Sequence, residues 1–174
     1  MGFGRLKQGK SLFEVFCFLV EEHPKGLKRS DIQTKLKMVL GVGESVGGVN
    51  RHLKKLRNAA LIEWSQKTYT YKLASDFDSK DFFIRVVDTF RLTTDKAFFM
   101  SIKMVNILSK QTLIEVDDYI GHKYDEEMSE NISKLEDNYK INEIHVHDDI
   151  KKLLRHHSSY VRLRLFKTTN ECFI

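Results

Sequence analysis

Between Ser45 and Leu73, apolar residues fall at Val46, Val49, Leu53, Leu56 and Ala60, in alternating steps of three and four. At about 100° per residue these positions share one narrow arc of a helix. The opposite arc holds Gly47, Arg51, Lys54 and Asn58, flanked by Asn50 and Lys55. Ser45 stands where an N-cap belongs, its hydroxyl placed to accept from the first-turn amides. Leu61-Ile62-Glu63-Trp64, the polar Ser65-Gln66-Lys67-Thr68 and the alternating Tyr69-Thr70-Tyr71-Lys72-Leu73 follow. That order predicts a hairpin of two short strands around a basic tip.

Upstream, Met1 to Lys10 reads as a loose basic arm, and Ser11-Leu12-Phe13-Glu14 as a capping box opening a helix to about Glu22. Leu12, Phe16, Leu19 and Val20 are its expected inward residues, and His23-Pro24-Lys25-Gly26 stops it. A second capping box, Ser30-Asp31-Ile32-Gln33, opens a short helix with Ile32 and Leu36 inward. Leu40-Gly41-Val42-Gly43 then turns into the helix of the first paragraph. Gly41, Gly43, Gly47 and Gly48 do not make a phosphate loop, since no Gly-Lys-Ser/Thr follows and no strand precedes.

Ser45-x-x-x-Val49-Asn50-Arg51-His52-Leu53-Lys54-Lys55-Leu56-Arg57-Asn58-Ala59-Ala60-Leu61-Ile62 resembles the recognition helix of winged helix-turn-helix regulators of the ArsR and MarR kind. Their usual string is close to Ser-x-x-Val-Ser-Arg-His-Leu-Lys-x-Leu-x-x-Ala-Gly-Leu-Ile. This chain has Asn50 in place of the serine and Ala60 in place of the glycine. It carries no cysteine in this helix, so the ArsR metal-thiolate sensor does not transfer. The resemblance covers roughly the first 75 residues. It implies a helix laid in the major groove of double-stranded DNA with a basic wing on the backbone. Ser45, Gly47, Asn50, Arg51, Lys54, Lys55, Lys67 and Thr68 are the expected DNA-binding residues.

Charge strengthens this reading. The net charge is +5, but residues 1–75 hold 14 Lys/Arg against 6 Asp/Glu, while residues 76–174 hold 15 against 18. A basic head and a mildly acidic body suggest DNA binding joined to another task. The expected fold is therefore α+β: a winged helix-turn-helix domain over 1–75 and a mixed α/β dimerisation or sensing domain over 76–174.

In the second part Ala74 to Ser79 is a polar junction, and Phe82 to Val87 is ambiguous between strand and helix. Thr94 or Asp95 caps a helix over Lys96 to Lys110 that is apolar on nearly every side, which suits either a domain core or a homodimer interface. Thr112 to Val116 is compatible with a short strand. Asp117 to Asp137 has Tyr124, Met128, Ile132 and Leu135 at helical spacing. Ile141 to His147 reads as a strand, Asp148 to His157 as a helix and Tyr160 to Lys167 as a last strand.

Glu143, His145 and His147 share one strand face and resemble the His-hydrophobe-His metal motif of rolling-circle initiators and relaxases. That resemblance implies a metal-dependent nicking enzyme with Tyr160 as nucleophile, although such a tyrosine belongs on a helix beside a lysine. A zinc or acid sensor drawing also on His156 or His157 is a milder version. Solvent-facing histidines on a strand explain the pattern with less, so no metal, no cofactor and no catalysis are expected. Cys17 and Cys172 do not form a disulfide framework, and no run reaches membrane-spanning length. The expectation is a cytoplasmic, homodimeric transcriptional regulator that avoids membranes. A plasmid or viral replication or partition protein is the alternative in the same binding class.

Overall fold

Val15, Phe16, Cys17, Phe18, Leu19 and Val20 are all buried, and the helix that carries them is the post around which the neighbouring elements stand. The computed structural model describes residues 3–41 and 44–139. In chain order its elements are α1 (Phe3–Glu21), α2 (Arg29–Leu40), α3 (Val46–Asn58), β1 (Ile62–Ser65), β2 (Thr70–Leu73), α4 (Lys80–Phe90), α5 (Thr94–Met104) and α6 (Lys110–Tyr139). The described residues are thus mixed α/β and mostly helical, with six helices and one two-stranded antiparallel sheet.

Helix α1 packs against α2, α3, β2 and α5. Phe16 and Leu19 of α1, Ile32 and Leu36 of α2, and Val49, Leu53 and Leu56 of α3 form a core closed to solvent. Each such side chain contributes roughly 1.5–3 kcal/mol by leaving water. Helix α4 extends this core: Phe90 meets Phe13 edge-on at 5.1 Å and Phe16 at 5.4 Å, and Phe82 lies 6.4 Å from Phe16.

In the hairpin Ile62 pairs with Leu73, Glu63 with Lys72, Trp64 with Tyr71 and Ser65 with Thr70. Leu27 adds a third lane of one residue. Its N–H donates to Tyr71 O at 2.9 Å and its carbonyl accepts from Tyr71 N at 2.8 Å. Gly26 makes that approach possible, with φ +73 and no side chain where the Tyr71 carbonyl and Lys72 Cγ press against it.

Helix α3 begins and ends as its residues dictate. Ser45 Oγ accepts from Gly48 N at 3.1 Å. At the other end Leu61 N donates to Leu56 O at 3.0 Å and Ala60 N to Arg57 O at 2.9 Å, the paired bonds of a Schellman stop. That stop puts Ala60 at φ +53, a left-handed conformation that disfavours any Cβ. Ala60→Gly is therefore expected to raise stability by about 0.5–1 kcal/mol and the melting temperature by a few degrees. A melting curve at or below the parent's would contradict this assignment.

Several expectations are corrected. Helix α1 starts at Phe3 instead of Ser11, and Ser11 is buried in mid-helix. Leu6, Lys7 and Gln8 are good helix formers and carry the helix upstream. The second capping box is also not made: Lys28 is the N-cap of α2, and Gln33 Nε2 donates instead to Glu44 O at 2.9 Å. Val46 and Ala60 are exposed, so the buried stripe of α3 is Val49, His52, Leu53 and Leu56.

The ambiguous Phe82 to Val87 lies in α4, capped by Ser79 Oγ accepting from Phe82 N at 3.1 Å. Its buried Phe82, Phe83, Val86 and Val87 follow helical spacing. Helix α5 stops at Met104 and is two-sided: Ala97, Phe98, Met100, Ser101 and Met104 are buried, while Phe99 and Ile102 are exposed, as is Val105 at its C-cap. Thr112 to Val116 is the first part of α6, where Ser109 Oγ accepts from Thr112 N at 3.3 Å.

The polar junction at 74–79 is tied down, with Ala74 N donating to Leu61 O at 3.1 Å and Arg85 paired to Asp76 at 2.6 Å. One compact unit ends at Asp117 and the next begins at Asp118, so residues 76–117 share a unit with the first 75. The expected strands at 141–147 and 160–167, the helix between them and the Glu143, His145 and His147 cluster lie outside the described residues.

Candidate nucleic-acid interface

The surface of α3 is built by its own periodicity. With Val49, His52, Leu53 and Leu56 inward, the opposite face turns to solvent, and Asn50, Arg51, Lys54, Lys55, Arg57 and Asn58 are all exposed. Among the described residues none of Arg51, Lys54, Lys55, Arg57 or Lys67 is held in an ion pair. Some cations elsewhere are paired, Lys35 with Glu22 at 2.7 Å and Arg85 with Asp76 at 2.6 Å. The Lys35 ammonium, by hydrogen bond and charge, holds the Glu22 carboxyl below its usual range.

Between α3 and β2 runs an open groove of about 450 Å³, lined by Asn50, Leu53, Lys54, Arg57, Asn58 and Tyr71. Asn50, Lys54, Arg57 and Asn58 are one helical ridge, at steps of four, three and one. No carboxylate lines the groove, and two cations and two amides do. Such a set suits an anionic backbone with amide donors and acceptors beside it.

Of the eight expected site residues, Asn50 and Lys54 come together in this groove. Arg51 and Lys55 lie on the exposed face of α3 outside its lining, and Lys67 is exposed at the hairpin tip. Two hydroxyls already have structural tasks. Ser45 Oγ caps α3, and Thr68 Oγ1 lies 2.9 Å from Ser65 Oγ and 2.7 Å from Thr70 Oγ1 within the turn. Gly47 faces open space, with only Ser45 Oγ at 3.9 Å from where a Cβ would be. Gly48 is different: a Cβ there would lie 3.1 Å from Glu44 Oε2.

Two features were missed. Arg57 and Tyr71 belong to the groove; the ridge spacing from Asn50 would have found Arg57, while Tyr71 needed the sheet register. His52, in the buried stripe and only 6% exposed, directs Nε2 to the Glu44 carboxylate at 2.9 and 3.1 Å. With the Gln33 bond to its carbonyl and the His52 contact to its carboxylate, Glu44 ties α3 to α2.

Other chemistry has little to stand on in the described residues. No group of three or more His, Cys, Asp or Glu there is placed to hold a metal ion. Burial pushes the Cys17 thiol up to about 12, which keeps it protonated and inert at neutral pH. Burial, and then the Lys72 charge, lower His23, which packs on Phe77 at 4.2 Å. Among the described residues no helix is long and apolar enough to cross a membrane. No protein-family model, no curated protein and no solved structure matches this chain.

Proposed function

We propose that the protein binds double-stranded DNA with residues 3–73 acting as a winged helix-turn-helix, α3 in the major groove and the hairpin as the wing. The observation that carries this is the outer face of α3, where four exposed cations, without ion pairs among the described residues, stand with an exposed hairpin lysine. The order of three helices and a hairpin supports it, as does the Leu27–Tyr71 bridge that ties the α1–α2 connection to the sheet. The function that follows is transcriptional regulation, with α3 supplying sequence preference and Lys67 the backbone contact.

Labelled-duplex anisotropy across a salt series tests the reading. If Arg51, Lys54, Lys55, Arg57 and Lys67 each neutralise a phosphate, log Kobs should fall against log salt with a slope of about −4 to −5. No binding at low salt would end the proposal.

We further read the protein as a homodimer. Phe99, Ile102 and Val105 are 52%, 44% and 42% exposed and stand at three-residue steps along α5, an apolar strip suited to a copy of itself. Light scattering is expected to give twice the 20.4 kDa chain mass, and Ile102→Glu to return a folded monomer. A parent that scatters as a monomer, with and without DNA, would remove the dimer.

A further inference from the structure

The hairpin carries an aromatic cluster that phosphate binding does not use. Ile62 and Leu73, one cross-strand pair, are 4% and 3% exposed. The next pair toward the tip on the same face is Trp64 and Tyr71, whose rings lie 4.7 Å apart. Beyond them Tyr69 meets Trp64 edge-on at 6.3 Å. Burial falls away along this line: Trp64 is 38% exposed and Tyr69 69%.

A wing that only touched phosphates would need lysines and hydroxyls here, because aromatic rings left in water cost free energy. The cluster is also continuous with the cationic groove. Tyr71 both packs on Trp64 and lines the groove with Lys54 and Arg57. The one carboxylate nearby in sequence, Glu63, alternates to the other face of β1, opposite Lys72. Aromatic faces beside a cationic track are the arrangement that holds unpaired nucleotides, bases stacked on rings and phosphates on the cations.

We propose that Trp64, Tyr69 and Tyr71 form a stacking platform for unpaired bases, so that the preferred DNA is a duplex adjoining a single-stranded segment. This rests on the DNA-binding reading of α3 and names the substrate class within it. The duplex lies on α3, and the strand that leaves it passes its bases over the hairpin.

Trp64 is the single tryptophan of the chain, which makes its emission a direct readout of stacking. The full chain is titrated with a blunt duplex and with the same duplex bearing a short unpaired thymine tail, on the 3′ or the 5′ side. One tailed duplex is expected to bind about tenfold more tightly than the blunt one and to quench Trp64 where the blunt one does not. Tyr69→Asn should reduce the advantage of the tail and leave blunt-duplex affinity unchanged. Asparagine accepts the left-handed φ of 54 at this position, so the turn survives the change.

Equal affinity for tailed and blunt DNA, with Trp64 emission unmoved, would overturn the platform while leaving duplex binding in place. A Tyr69→Asn chain weakened equally on both DNAs would overturn it too. Failure to bind either DNA at low salt would instead remove the reading on which the platform rests.

Discussion

Gly26→Ala should cost about 2–5 kcal/mol of stability and lower the melting temperature by about 10 °C. Two costs combine. A Cβ at φ +73 is worth roughly 1–2 kcal/mol against a left-handed alanine. The same Cβ would run into the Tyr71 carbonyl and come within 2.6 Å of Lys72 Cγ. The carbonyl is backbone, already bonded to Leu27 N at 2.9 Å, and cannot retreat without breaking the bridge. Forced overpacking of this kind adds roughly 1–3 kcal/mol. Gly41→Ala is the built-in comparison, since Gly41 has φ +67 and nothing within 4 Å of its missing Cβ. The difference between the two in urea denaturation isolates the contact with the sheet. Equal losses would mean that the Leu27–Tyr71 bridge gives way readily.

The double variant Lys54→Ala/Arg57→Ala is expected to have the largest effect on function. A slope of about 0.9 per neutralised phosphate makes each contact worth about 1.2 kcal/mol at 0.1 M salt relative to 1 M. Removing both groove cations should therefore weaken duplex binding about sixtyfold at 0.1 M salt and flatten the salt dependence by about 1.8. Stability should hardly change, because both side chains are exposed and neither is in an ion pair among the described residues. Unchanged affinity and slope would show that DNA, if bound at all, lies elsewhere on the molecule.

The positions of helix α3 and the hairpin were legible in the sequence because cap, spacing and turn agree there, although Val46 and Ala60 at the ends of the stripe face out. The Ser45 cap, the three-and-four spacing and the polar tip all place elements where α3, β1 and β2 stand. Elsewhere a local signal met a stronger competitor. Ser11 and Ser30 look like caps, but helix-forming neighbours extend α1 past one, and Gln33 takes Glu44 as its partner instead of the other. Phe82 to Val87 is so densely apolar that a period of two and one of 3.6 fit alike, and only packing on α1 separates them. Thr112 to Val116 contains β-branched residues, yet the Ser109 cap and burial of Thr112 and Val116 hold it helical. In the site, Asn50 and Lys54 follow from helix periodicity alone. Tyr71 and the Glu44–His52 pair do not, since they depend on how the chain folds back between elements.

Glu44 has a consequence for how a duplex can sit. A helix N-terminus carries a partial positive charge and unfilled amides, which attract phosphate. At α3 one of those amides is taken by Ser45, and the Glu44 carboxylate hangs beside Gly48, fixed there by His52. The protein thus supplies its own anion where a phosphate would otherwise dock. For a duplex bound as proposed, repulsion at that end and attraction along Lys54 and Arg57 would displace the contact toward the C-terminal half of the helix and the hairpin. On that proposal a strand's register would be set from the tail of the helix, with the first turn a spacer that keeps the backbone away.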